Sequence, residues 1–179
     1  MSNDMTTAEK IVSKPKEEII KEAKRLHENC LVTSKSHFVA AHFWNNFHLW
    51  LGIPTVILAA VSGTSAFIEY KTIAFILSII VVVFTSVTTF LNPKEKANAH
   101  LIAGNNYDSL LTRLRIFWSI DCWSEDSDEI LTDNLKRFSE ERERLNRDCP
   151  QPPKLAYEKA KKGIEEGESL YLVDKQGRD

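Results

Sequence analysis

Residues 72–91 read TIAFILSIIVVVFTSVTTFL, twenty positions without an Asp, Glu, Lys or Arg. Thirteen of the twenty are Ile, Leu, Phe or Val. At about −0.3 to −0.6 kcal/mol each, they favour transfer into a bilayer by about −4 to −8 kcal/mol before the serines and threonines are counted. As an α-helix the run rises about 30 Å, which matches the hydrocarbon thickness of a membrane.

A second uncharged stretch precedes it. No Asp, Glu, Lys or Arg lies between Ser36 and Ile68, and the core of that stretch, 47–68, has 22 residues. It is the less apolar of the two, with His48, Gly52, Pro54 and several small polar residues. Only Glu69, Tyr70 and Lys71 separate the runs, so two spans here make an antiparallel hairpin with a minimal tip. Residues 47–91 hold 29 of the 77 hydrophobic residues. The chain-wide values of 43% hydrophobic and mean hydropathy −0.26 therefore average two materials.

A hairpin leaves both termini on one side of the membrane. Of 23 Lys and Arg, seven precede residue 47, fifteen follow residue 91, and only Lys71 is at the tip. Excess Lys and Arg stay cytoplasmic, which places both termini in the cytosol and the protein in the cell (inner) membrane. Trp44 and Trp50 at the inner edge and Tyr70 at the outer one suit interfacial anchors.

The flanks read as polar helices. Pro15 suits a helix start, and no Gly or Pro occurs from Lys24 to Phe47, so a long amino-terminal helix runs into the first span. Asn92, Pro93 and Glu95 read as a helix restart, with Asn92 as cap. The next helix repeats Tyr107, Leu111, Leu114 and Trp118 on one side. A further helix over roughly 128–147 carries a narrow seam of Leu131, Leu135, Phe138 and Leu145, and Lys154–Glu166 forms a last one ended by Gly167. The expected fold is an all-α membrane protein: a long cytosolic helix (1–46), a transmembrane hairpin (47–91, spans 47–68 and 72–91) and a cytosolic helical region (92–179).

Several chemistries find no support. A net charge of −2 gives no general basic field for nucleic acid. Cys30, Cys122 and Cys149 have no paired spacing for a disulfide framework or a zinc site. His37, His42 and His48 are five and six apart, which does not put them on one helix face, so they read as interfacial polar residues rather than metal ligands. Walker, GxGxxG and GxSxG patterns are absent. The reading is of a non-enzyme with no catalytic residues, no cofactor and no metal.

Polarity inside the spans remains. At about 100° per residue, Ser78, Thr85 and Thr89 fall within about 40° of arc, and Thr55, Ala59, Ser62 and Ala66 within about 60°. Small residues and hydroxyls on such stripes serve helix packing, for about 0.6 to 2 kcal/mol per hydroxyl, or line a water-filled passage when several hairpins assemble. Thr55, Ser62, Ser78, Thr85 and Thr89 are the candidate pore-lining or helix-packing residues. One hairpin cannot enclose a pore, so the second use demands a homo-oligomer. The absence of charge within either span argues against a proton relay or voltage sensor.

Larger landmarks point the same way. A charged helix with His37, Ala40 and Ala41 leads into a first span opening His48-Leu49-Trp50-Leu51-Gly52-Ile53, followed by the pair Ser62-Gly63. The second span closes on Phe90-Leu91-Asn92-Pro93 and is followed by Lys96, His100, Ala103 and Tyr107. With the tail from Pro153-Lys154-Leu155-Ala156 to Gly167-Glu168, these features resemble the SLATT family over most of the chain. The resemblance implies a prokaryotic two-span membrane effector of nucleotide-dependent conflict systems, forming a pore that kills the infected cell. It assigns no catalytic residues. Multidomain relatives carry a sensor or nucleotidyltransferase domain that this chain does not show, so the implied trigger is a separately encoded nucleotide sensor or synthase. A non-conducting two-span anchor whose cytosolic helices recruit a partner is the alternative.

Overall fold

The computed structural model describes residues 14–62 and 71–171, and among these it holds five α-helices and no strand. They are α1 (Lys14–Ser62), α2 (Lys71–Leu91), α3 (Pro93–Ser119), α4 (Asp128–Asp148) and α5 (Lys154–Glu165), with a single 3-10 turn at Asp121–Trp123. Glu69 and Tyr70 of the expected tip, and residues 63–68 of the expected first span, lie outside the described residues.

Helix α1 has 49 residues and extends about 74 Å. It starts with Pro15 and Glu17 in its first turn, where a missing N–H costs nothing and an acidic group meets the positive end of the helix dipole. It also continues through Pro54. Proline there removes the hydrogen bond to the carbonyl of Trp50. One residue on, the Thr55 hydroxyl donates to the Leu51 carbonyl at 2.6 Å, adding a bond in the turn that proline weakens.

The second arm is α2 followed by α3, broken at Asn92. Asn92 has φ 41° and ψ 58°, the left-handed region. Pro93 disfavours the right-handed conformation in the residue before it, and Asn tolerates the left-handed one better than most side chains. The expected cap is not formed by its side chain, whose amide donates to Glu95 instead. Pro93 occupies the first helical position as expected.

The two arms lie antiparallel. Lys16 Nζ donates to the Ser124 carbonyl at 2.9 Å, the Ser34 hydroxyl to the Gly104 carbonyl at 3.0 Å, and Lys96 Nζ sits 4.5 Å from the centre of the Trp44 ring, so residue numbers fall on one arm as they rise on the other. The largest interface joins α1 to α3; α4 packs on both, and α5 lies along α1.

One core unites this end. Leu26, Cys30, Tyr107, Leu110, Leu111, Leu114 and Leu145 form its first cluster, and Ile19, Ala23, Phe117, Cys122 and Leu131 its second. Leu135 and Phe138 touch both, which is the use of the seam read on α4. Burial of each large apolar side chain contributes about 1.5–3 kcal/mol. Ser127 caps α4 by accepting from the Ile130 N–H, and Gly167, at φ +88°, ends the chain turn after α5 where a Cβ would be strained.

The core then stops. Ala41 is the last buried residue of α1 and, among the described residues, Pro93 is the next; none of residues 42–62 or 72–92 is buried. Trp50 is 80% exposed, Val82 63% and Phe90 95%. A helix beginning at Thr72 is long and apolar enough to cross a membrane, with none of its apolar window buried.

Candidate functional site

The uncovered half of the hairpin has a seam of its own. On α1 the half-buried residues include Trp44, His48, Leu51, Thr55, Leu58 and Ser62; on α2 they include Ala74, Leu77, Val81, Phe84, Thr88 and Leu91. Both sets step alternately by three and four residues, the spacing of two helices that interdigitate at a shallow left-handed crossing. The seam accounts for the contact between α1 and α2.

This seam divides the five candidate hydroxyl residues. Thr55 and Ser62 are in it, half-buried between the helices. Ser78, Thr85 and Thr89 are outside it and exposed, roughly 100° around α2 from the seam line. Ala59, read on the same stripe as Thr55, is exposed, and Ala66 is outside the described residues. The hydroxyls of Ser62 and Ser78 donate to the carbonyls of Ala59 and Phe75 at 3.0 and 2.8 Å, and those of Ser86 and Thr88 to Val82 and Phe84 at 2.7 and 2.9 Å. Such back-bonding satisfies a hydroxyl without water or a neighbouring helix.

At the neck, where the core ends and the bare hairpin begins, there is a buried polar cluster. His37 on α1 and His100 on α3 are 1% and 5% exposed, with their Nδ1 atoms 3.0 Å apart. One Nδ1 carries the proton and donates while the other accepts, so two neutral rings in opposite tautomers satisfy the contact. The Tyr107 ring stacks on His37 at 5.6 Å, and its hydroxyl donates to Asn146 Oδ1 on α4 at 2.6 Å. Ser36 bonds back to the Val32 carbonyl at 2.6 Å. Burial first and the charge of His100 second push the His37 pKa down to about 4; burial also lowers His100. Burial pushes the Tyr107 hydroxyl up to about 12 and the Cys30 thiol up to about 11. This cluster holds neutral groups neutral.

Spacing along one helix could not reveal the pair, because its members are 63 positions apart on different arms. The available signal was that His37, Ala40 and Ala41 before the hairpin and His100, Ala103 and Tyr107 after it lie at broadly comparable distances from the tip on the two arms. The structure buries all six and brings His37 against His100 and Tyr107. His42 is exposed, and His48 lies in the seam with its Nδ1 shut off from water and without a hydrogen-bond partner. Among the described residues no three His, Cys, Asp or Glu side chains gather as a metal site would need. No family model matches the chain, and neither a curated protein nor a solved structure is similar to it.

Proposed function

We propose that the chain is a membrane effector whose hairpin, with spans 47–68 and 72–91 and both termini cytosolic, assembles with other copies into a pore that permeabilises the cell membrane. In this reading it serves a prokaryotic anti-phage or conflict system of the SLATT kind, and a separately encoded nucleotide sensor or synthase triggers it. The observation that carries the proposal is the outward stripe of Ser78, Thr85 and Thr89. It lies on a bare helix, away from the seam that already joins the two arms. Copies that pack through other faces can turn that stripe inward, and weakly polar hydroxyls then meet water. Forced expression is expected to admit a membrane-impermeant dye, and Ser78→Leu or Thr85→Leu to cut that leakage at least severalfold while membrane insertion is unchanged. Intact membranes despite demonstrated oligomers would sink the proposal.

A second reading has its own observation. The hydroxyls of Thr55, Ser62 and Ser78 are all satisfied by their own helix, as an inert anchor requires. Exchange of residues 47–91 for an unrelated two-span hairpin separates the two: an anchor keeps its activity and a pore loses it.

A further inference from the structure

Helix α5 runs against α1 with its first turn toward the bare hairpin. Lys35 on α1 meets Glu168 just beyond the far end of α5, whereas Phe43 and Asn46 lie beside its near end. Between the two helices is a groove of about 560 Å³, within the range of about 300–1,000 Å³ usual for small-ligand sites. Phe38, Phe43 and Leu155 supply apolar walls; His42, Asn46 and Lys159 supply the polar groups, and among the described residues no carboxylate lines it. Leu155 is 80% exposed although it opens the helix toward the apolar hairpin.

The lysines of α5 single out one member. Lys154, Lys161 and Lys162 each reach a glutamate four residues on, at 3.7, 3.9 and 3.6 Å. Lys159 has Gly163 at that position, with Leu155 and Ala156 on the turn before it. The lysine that faces the groove is thus the one whose own helix offers it no acid. A matching occupant has an apolar chain and an acidic head, with the chain continuous with the lipid-facing surface and the head one turn farther from it.

We propose that this groove takes an acidic phospholipid of the adjoining leaflet, its acyl chain against Phe43 and Leu155 and its phosphate held by Lys159 with His42. The inference rests on the membrane reading above, and the experiment separates the two. The full chain is first floated with phosphatidylcholine vesicles; failure to float overturns both. Native mass spectrometry in detergent then follows retention of added phosphatidylglycerol against phosphatidylcholine. The wild-type chain is expected to hold one phosphatidylglycerol in preference. Lys159→Gln is expected to lower that preference about fivefold, the factor given by about 1 kcal/mol for one lysine at an acidic surface. Lys161→Gln, which disturbs only the pair with Glu165, is expected to leave it unchanged. Equal retention of the two lipids, equal loss in both variants, or a second protein copy in place of lipid overturns the proposal while the membrane reading stands.

Discussion

Acidification is expected to loosen the neck before it reaches the carboxylates. The perturbation is a pH drop from about 7.5 to about 5, and its target is the His37–His100 contact. His37 is held near pKa 4 in the folded chain against 6.5 for an ordinary histidine. Between these values the unfolded chain binds more protons, so the stabilisation is fully present above about 6.5 and is lost as pH falls toward 4. Over the stated drop His37 alone forfeits about 2 kcal/mol, equivalent to about 4–8 °C of melting temperature for a chain of this size. Lowered His100 adds to the loss in the same direction.

The assay is thermal unfolding of the full chain in detergent, followed by near-ultraviolet circular dichroism at the two pH values. The comparison is His37→Phe/His100→Leu, which removes both partners and so leaves no half-satisfied group. His27, also lowered by burial and by Arg115, contributes equally to both proteins and cancels. The wild-type melt is expected to fall by the full amount and the double variant by less than about 2 °C. Parallel falls would refute the reasoning, because the titrating groups would then lie elsewhere.

Other expectations are simpler. Val82→Asp places a charge on the bare face of α2 at a cost of about 2.5–3.5 kcal/mol, about half of what the apolar residues of that helix contribute, so alkaline extraction is expected to release a larger share of the chain. At Gly104 a Cβ would come within 2.9 Å of the Phe38 ring, where α3 crosses α1 closely. Gly104→Leu is therefore expected to destabilise by about 1–3 kcal/mol or more, read in the same melt, while Gly104→Ala loses less because alanine favours the helix. For the hydroxyl stripe, leakage with Thr85→Leu compared with Thr55→Leu distinguishes outward residues from seam residues: only the first is expected to reduce it.

Much of the architecture was legible because it depends on local signals. The uncharged run at 72–91, the unbroken composition from Lys24 to Phe47, Pro93 at a helix start and Gly167 past a helix end each act within one or two turns. Most apolar positions of α3 and α4 were legible for the same reason, since a helix must bury its one apolar side, although Leu110 and Phe117 are fully buried off the stripe read for α3 and Trp118 on it is only half-buried. What escaped depends on pairing. Periodicity grouped Thr55 with Ala59, but which of them meets α2 is decided by the rotation of α1, and the seam takes Thr55 and leaves Ala59 out. The His37–His100 contact escaped for the same reason: each histidine is unremarkable on its own helix, and the contact exists only once the arms are in register. Asn92 was read as a cap from its position, whereas its backbone takes the left-handed conformation before Pro93 and its side chain donates to Glu95 instead of capping the helix.

The unequal construction of the two arms has a mechanical consequence. From the bundle to Pro54, α1 is an uninterrupted shaft, whereas the other arm has a joint at Asn92. A shaft carries torque and a joint dissipates it. A twist applied by a partner gripping the bundle end of α1 would arrive at Trp50 nearly whole, while α2 below its joint would stay in place. The two helices of the bare hairpin would then turn against each other, driven from one side only.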